Sequence, residues 1–272
     1  MREIARKFSE LEKRGEGALI AYVTAGDPSP QATPEVVRAL VEGGADIVEL
    51  GIPFSDPIAD GPTIQAATVR ALRAGTRPRM VLEMVEKIKQ ETRTPIVILS
   101  YYNPIFKMGL KSFFEEASAR GVDGVVVPDL PVEEAGEYKE YAEAYEVDTI
   151  FLAAPSTSTE RLKKIVDYTS GFLYLVSVFG VTGAREKIQE ITVETIRRAL
   201  HFTRGRIPLA VGFGVSKPEH VSRVLELGAD AAIVGSRLVR IIEENVGDEE
   251  KMIESLRSYT RQLKEATHRK GK

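Results

Sequence analysis

The sequence of 272 residues contains no cysteine, which excludes disulfide bonds, cysteine-ligated metals and thiol nucleophiles. Its three histidines, His201, His220 and His268, lie in predicted helices or at the end of the chain. A histidine-ligated metal or a Ser-His triad is therefore disfavoured. No predicted strand ends in a lysine, which argues against an aldolase that forms a Schiff base with its substrate.

The sequence also lacks an excess of charge of one sign. Its 37 basic and 40 acidic residues give a formal net charge of -3, which provides no basic field to attract nucleic acid or anionic lipid. It has no run of roughly 18 apolar residues, and its first residues have no apolar signal core. We therefore expect a cytoplasmic protein that binds neither nucleic acid nor membranes.

The chain does contain a repeated pattern, in which short β-rich runs alternate with helical segments. The eight runs are residues 18–23, 47–50, 96–99, 125–127, 150–153, 172–178, 209–211 and 231–234. This alternation predicts a single (β/α)8 TIM barrel over residues 1–272. A doubly wound sheet is the competitor, but the loop after the first run, at Gly26, lacks the Gly-x-Gly-x-x-Gly fingerprint.

Two further helices are predicted outside the repeat. One, at about residues 4–13, precedes the first strand and should cap one end of the barrel. The other, at about 248–264, has apolar residues at helical spacing and should pack on the barrel wall. The basic tail, about residues 265–272, is expected to be frayed.

Three glycine-containing loops follow the last strands of the predicted barrel. They are Gly180-Val181-Thr182-Gly183-Ala184, Gly212-Phe213-Gly214 and Gly235-Ser236. Loops at this position, together with a helix N-terminus, form the recurrent phosphate site of the fold, because glycines let backbone amides approach an anion closely. One such loop alone is equally consistent with a tight turn. Three together predict a phosphate site, with the Ser236 hydroxyl as an additional donor.

Two acids occupy positions where side chains can enter the barrel mouth. Strand alternation places Glu49 on the same face as Ile47 and Gly51, towards the interior. Desolvation there would raise its pKa, as suits a group that exchanges protons near neutral pH, although a buried ion pair is the alternative. Asp60 either faces Glu49 across the pocket or caps the helix that begins near Pro62. Spacing alone leaves both possibilities open.

Aromatic side chains near strand ends could form an apolar slot for a flat ring. They are Tyr22, Tyr101, Tyr174 and Phe213. Each of them, taken singly, is explained equally well as barrel core. Combined with the acids and the glycine loops, they indicate acid-base chemistry on a phosphorylated small molecule.

The stretch from Glu49 to Gln65, ELGIPFSDPIADGPTIQ, closely resembles the signature of the tryptophan synthase alpha subunit family. Residues 22–28, residues 128–134 and the glycine loops add supporting matches. The resemblance implies a retro-aldol cleavage of indole-3-glycerol phosphate to indole and glyceraldehyde 3-phosphate, without a cofactor in this chain. It also implies a beta subunit partner in an α2β2 assembly, which uses pyridoxal phosphate to join the indole to L-serine and form L-tryptophan.

The resemblance further implies roles for individual residues. Glu49 would take the proton of the glycerol hydroxyl and protonate indole C3, Asp60 would bind the indole N–H, and Tyr174 would orient Glu49. The residues implied in phosphate or substrate binding are Tyr22, Tyr101, Thr182, Gly183, Gly212, Phe213, Gly214, Gly235 and Ser236. Those implied at the partner interface are Pro53, Asp56, Pro57, Asn103, Phe106, Asp129 and Pro131.

Two positions depart from the familiar pattern of the family: Val178 stands where an arginine is common, and Tyr22 replaces a phenylalanine. Two alternatives to the lyase stay open. One is another phosphate-binding barrel, such as an isomerase of a related pathway, and the other is an inactive regulator that kept its partner surface. A further hypothesis is that the proline-rich loop links Asp60 in the pocket to Asp56 at the partner surface.

Overall fold

The computed structural model describes residues 1–176, 190–212 and 214–268, and its centre is a sheet of parallel strands. The strands are β1 (Ala18–Thr24), β2 (Ile47–Gly51), β3 (Ile96–Leu99), β4 (Gly124–Val126), β5 (Asp148–Ile150), β6 (Leu152–Ala153), β7 (Leu173–Val176), β8 (Leu209–Gly212) and β9 (Ala231–Val234). They follow the eight predicted runs, except that the fifth run is divided at Phe151.

The divided run joins the two edges of the sheet. The strand order is β5-β4-β3-β2-β1-β9-β8-β7-β6, so the first and last strands are consecutive in the chain. The Phe151 carbonyl between them accepts a hydrogen bond of 3.0 Å from Tyr174 N–H in β7. One short segment thus pairs with β4 on one side and β7 on the other, which curls the sheet into a barrel. The predicted (β/α)8 fold is confirmed.

Helices surround the strands. They are α1 (Glu3–Lys13), α2 (Thr33–Glu42), α3 (Pro62–Arg73), α4 (Pro78–Glu91), α5 (Tyr102–Met108), α6 (Leu110–Ala119), α7 (Gly136–Ala144), α8 (Thr159–Tyr168), α9 (Glu190–Thr203), α10 (Pro218–Glu226), α11 (Ser236–Glu244) and α12 (Glu249–Glu265). Within the described part of the chain, no helix has both the length and the apolar character needed to cross a membrane.

Side chains of the strands separate into two apolar layers, as strand alternation requires. The layer between sheet and helices contains Val48 and Leu50 of β2. The layer inside the barrel contains Ile20, Ile47, Val97, Val126, Ile150, Phe172, Ala210 and Ile233. Because Ile47 points inward and its neighbours point outward, Glu49 also points into the barrel, as predicted.

The helix α1 closes the end of the barrel where the strands begin. Its Ile4 and Leu11 are buried in the interior layer, and the Phe8 ring lies 6.2 Å from the Phe172 ring. A Cβ atom on Gly124, the first residue of β4, would lie 3.0 Å from Ile4 Cδ1. The predicted capping helix is therefore confirmed, and the floor of the barrel is filled by side chains.

The end of the chain differs from the prediction of a frayed tail. Thr267 is completely buried, its carbonyl accepts a hydrogen bond of 3.0 Å from Gly17 N–H, and His268 forms an antiparallel bridge with Glu16. The prediction is wrong for residues 266–268, because α12 returns the chain to the start of β1. Residues 269–272 lie outside the described residues.

Candidate active site

Glu49 is enclosed by the barrel without a polar partner. Its side chain has no exposed surface, and no described residue forms a hydrogen bond with either carboxylate oxygen. In the sheet it lies beside Tyr22 of β1 and Val97 of β3. Burial, and next the charge of Asp60, raise the pKa of Glu49 from 4.5 to about 8. Among the described residues no lysine or arginine forms an ion pair with Glu49, which argues against the alternative of a structural ion pair.

Asp60 lies in the loop between β2 and α3 and does not cap the helix. Gly61 is the N-cap residue of α3, and no side chain accepts a hydrogen bond there. The Tyr101 hydroxyl accepts a hydrogen bond of 2.9 Å from Ala59 N–H, the residue before Asp60. Burial raises the pKa of Asp60 from 3.8 to about 6, although the nearby Tyr101 hydroxyl lowers it. The structure therefore places Asp60 near Glu49, and the charge of Asp60 contributes to the raised pKa of Glu49.

Two tyrosine rings stand at the barrel mouth because facing glycines leave room for them. A Cβ atom on Gly51 would lie 2.3 Å from Tyr22 Oη, and one on Gly212 would lie 2.7 Å from Tyr174 Oη. Both rings are buried, and Gly235 also lies against the Tyr22 ring. Sequence analysis missed this role for Gly212 and Gly235, because it assigned both to phosphate or substrate binding.

Tyr174 stands close to Glu49. Burial, and next the charge of Glu49, raise the pKa of Tyr174 well above its usual value, so the phenol keeps its proton. Burial, and next the charge of Asp60, also raise the pKa of Tyr22, and its hydroxyl lies 3.3 Å from Thr24 Oγ1. The predicted proximity of Tyr174 to Glu49 is thus present in the structure, and Tyr22 lies opposite Glu49 on the neighbouring strand.

The glycine loops after β8 and β9 lie next to each other. These two strands are paired, with Ala210 opposite Ala231, so their ends meet at the same edge of the mouth. Gly235 precedes α11, whose first residue, Ser236, is exposed. Gly214, with a φ of 80°, adopts the left-handed conformation that glycine favours. The other predicted ligand-binding residues, Thr182, Gly183 and Phe213, and the unusual Val178, lie outside the described residues.

The loop after β2 leads from the pocket to an exposed rim. Hydrogen bonds from Ile58 N–H to Asp56 O, 3.0 Å, and from Asp60 N–H to Pro57 O, 3.1 Å, fold it tightly. The side chain of Ile58 is 82% exposed and that of Phe106 64%, which places large apolar groups on this rim. An exposed apolar patch is typical of an interaction surface.

The residues predicted for the partner interface differ in how far they are exposed to solvent. Those that are exposed are Asp56, Asn103, Phe106, Asp129 and Pro131, while Pro57 is half-buried. Pro53 is buried, so it supports the loop from below and offers no contact surface. Asp129 has a structural role as well, because its Oδ1 accepts a hydrogen bond of 2.8 Å from Tyr102 N–H at the start of α5.

An ion-pair cluster at the same end of the barrel was not predicted. The Arg70 guanidinium of α3 donates two hydrogen bonds to the buried Asp27 carboxylate, at 2.7 and 2.9 Å, and a third to Glu243 of α11, at 2.9 Å. Arg70 thus joins the loop after β1 to α3, which follows Asp60, and to α11, which begins at Ser236. Residues this far apart in sequence carry no local pattern that could have indicated the contact.

Comparison with known proteins identifies the family to which this site belongs. The sequence profile of the tryptophan synthase alpha chain matches residues 8–268. The chain belongs to the tryptophan synthase alpha chain family. The alpha chain of Methanosarcina acetivorans is 50% identical over 262 residues, which cover 96% of this chain and 93% of that one. The alpha chain of Methanothermobacter thermautotrophicus is 45% identical over 260 residues, which cover 95% and 96%.

Solved structures agree with this membership of the tryptophan synthase alpha chain family. A chain from the α2β2 tryptophan synthase complex of Pyrococcus furiosus has a TM-score of 0.86 and 48% identity, and the match covers 92% of this chain and 98% of that one. A tryptophan synthase chain from M. tuberculosis has a TM-score of 0.88 and 33% identity, with 99% and 100% covered. The predicted family is confirmed, and with it a lyase of tryptophan biosynthesis.

Proposed function

We propose that this chain cleaves indole-3-glycerol phosphate to indole and glyceraldehyde 3-phosphate, with Glu49 and Asp60 as its catalytic residues. The observation that carries the proposal is a buried Glu49, without a polar partner in the described part of the chain, near a second acid with a lower pKa. Two acids whose environments separate their pKa values can hold different protonation states at the same pH, one charged and one neutral. Family membership indicates the substrate, and Glu49 and Asp60 have the protonation states that the reaction needs.

The reaction begins with Asp60 ionised and Glu49 protonated, which is the dominant state between about pH 6 and pH 8. Asp60 accepts a hydrogen bond from the indole N–H and stabilises the positive charge that develops when Glu49 donates its proton to C3. The resulting Glu49 carboxylate then removes the proton of the glycerol hydroxyl. The C–C bond breaks, its electron pair returns to the ring as indole leaves, and the aldehyde forms.

The tyrosines hold this arrangement in place. Tyr101 holds the loop before Asp60, because its hydroxyl accepts a hydrogen bond from Ala59 N–H, while Tyr174 lies close to Glu49. The Tyr22 ring forms a wall of the slot for the indole. Preorganised groups of this kind lower the barrier because they need not reorient during the reaction.

The substrate phosphate is proposed to bind at the edge formed by the ends of β8 and β9. Backbone amides of Gly214, Gly235 and Ser236, the Ser236 hydroxyl and the N-terminal end of α11 would hold it, because a helix N-terminus favours negative charge. Gly212 leaves space for Tyr174 beneath this site. The roles of Thr182, Gly183 and Phe213 stay predictions.

The chemistry needs no cofactor in this chain, since Glu49 alone performs both proton transfers. We expect cleavage to proceed in EDTA without added pyridoxal phosphate. We also infer that a beta subunit, which would hold pyridoxal phosphate, binds the rim around Asp56, Asn103 and Phe106. The exposed apolar side chains of this rim and the α2β2 assembly of the Pyrococcus furiosus relative support that partner. A cytoplasmic location and a single domain stay predictions.

The decisive experiment is indole release by Glu49→Gln. A positioned acid-base group contributes about 10² to 10⁴ in rate, so this variant should lose most of its activity while glycerol 3-phosphate still competes for the site. Asp148→Asn is a matched control, since Asp148 is a buried acid at the opposite end of the barrel, paired with Arg2. It should lower stability and leave cleavage intact.

Cleavage by Glu49→Gln at the rate of the unmodified chain would refute the assignment. Detection of indole also separates the lyase from a phosphate-binding isomerase, which releases none. Assays with and without the beta subunit exclude an inactive regulator if the isolated chain already produces indole.

A further inference from the structure

The helix α12, which lies outside the repeated strand-helix units, touches the loop that follows β8. Tyr259 of α12 donates a hydrogen bond of 2.5 Å from its hydroxyl to the Ser216 carbonyl. Ser216 lies two residues after Gly214. A residue 43 positions away therefore fixes the backbone of the loop to which phosphate binding is assigned.

Ser216 is held on its other side as well. Its N–H donates a hydrogen bond of 3.3 Å to His220 Nδ1 in the first turn of α10. Both backbone groups of Ser216 thus have partners, one from the adjoining helix and one from α12. Removal of the Tyr259 hydroxyl would therefore take away the partner of the Ser216 carbonyl that comes from outside the adjoining helix.

The same tyrosine contacts the second phosphate element. The Arg237 guanidinium lies over the Tyr259 ring, 5.4 Å from its centroid, and donates hydrogen bonds to the Glu244 carboxylate at 3.1 and 3.3 Å. Arg237 is the second residue of α11 and directly follows Ser236. A cation over an aromatic face is attracted by the electrons of the ring, so this contact ties the start of α11 to α12.

We propose that Tyr259 is a positioning residue for phosphate binding. Its hydroxyl holds the loop after β8 and its ring holds the first turn of α11, so that the amides of both face the same anion. This inference rests on the proposed phosphate site. Tyr259 does not itself touch the substrate, and its effect is on binding and not on proton transfer between Glu49 and the ring.

The test is Tyr259→Phe, which keeps the ring under Arg237 and removes only the hydroxyl. Loss of a neutral hydrogen bond should raise the KM for indole-3-glycerol phosphate and the inhibition constant of inorganic phosphate by about five-fold each, with kcat unchanged. Tyr138→Phe is the matched control, because the Tyr138 hydroxyl donates to the Val125 carbonyl at 3.2 Å on another wall of the barrel. Both variants should lower Tm, and only Tyr259→Phe should weaken phosphate inhibition.

A second variant tests the ring contact. Arg237→Met removes the cation and keeps a long side chain, so it should also weaken phosphate inhibition. If Arg237 acts through the Tyr259 ring, the double variant Arg237→Met, Tyr259→Leu should lose no more than Tyr259→Leu alone, because that variant already removes the ring. A further loss in the double variant would mean that Arg237 attracts phosphate by its own charge, and would refute the ring contact as a positioning element.

The outcomes separate this inference from the proposed function. If the unmodified chain releases indole and is inhibited by phosphate, but Tyr259→Phe behaves like Tyr138→Phe, then Tyr259 is only structural and the inference is refuted. A loss confined to kcat would refute it equally. If the unmodified chain releases no indole, the proposed function itself fails.

Discussion

The protein should become less stable as the pH rises towards 8, because Glu49 must hold its proton inside the folded barrel. The unfolded chain ionises this carboxyl near its ordinary pKa of 4.5, whereas burial raises the pKa to about 8 in the folded state. Between these values the folded state retains a proton that the unfolded state has released. Stability therefore falls with pH across this window and levels off above about pH 8.

The size of the effect follows from the two pKa values. Each pH unit between them costs about 1.4 kcal/mol, so the whole window from 4.5 to about 8 corresponds to about 5 kcal/mol. Asp60, whose pKa is raised to about 6, contributes in the lower part of the window. From pH 6.5 to 8 the change assigned to Glu49 alone is about 2 kcal/mol.

The assay is urea unfolding followed by circular dichroism at several pH values, with Glu49→Gln as the reference. Glutamine does not titrate, so the free energy of unfolding of the unmodified chain should fall by about 2 kcal/mol relative to the variant between pH 6.5 and 8. Parallel pH curves for the two proteins would show that Glu49 is not desolvated in the folded state. The mechanism assigned to it would then lose its physical basis.

Two further predictions concern activity. The pH profile of kcat/KM should be bell-shaped with limbs near pH 6 and pH 8, since activity requires ionised Asp60 and protonated Glu49. Asp60→Asn should remove the lower limb. If the variant keeps the lower limb, that limb belongs to another group. Asp56→Ala should weaken activation by the beta subunit more than it weakens basal cleavage, because two backbone hydrogen bonds connect residues 56–60. Equal losses of activation and of basal cleavage would contradict a signalling role for this loop.

The parts of the fold that follow from periodicity were predictable from the sequence. The inward direction of Glu49 follows from alternation along β2, because a strand that is buried on both faces allows only two orientations. The division of the fifth run at Phe151 did not follow, since its residues are apolar throughout. The bend arises because the peptide changes partners from β4 to β7, and the sequence of the run itself contains no sign of that exchange.

The position of a site residue could be predicted where its sequence context allowed a single explanation. The role of Asp60 could not be decided by spacing, because an acid before Gly61 suits a helix cap as well as a pocket. The path of the loop excludes the cap, since Gly61 is the N-cap residue of α3, and the catalytic role of Asp60 stays a prediction. Tyr259 was visible only as part of an apolar stripe, and its contact with Ser216 depends on how α12 crosses the barrel.

Side chains close the barrel at the end where the strands begin. Ile4, Phe8 and Phe172 fill this end, so a ligand that enters at the mouth cannot leave through the floor. For the proposed reaction, an uncharged indole released above Glu49 has no route through the floor. The rim where Ile58 and Phe106 are exposed lies at the open end, so a partner bound to that rim would be close to the product as it leaves.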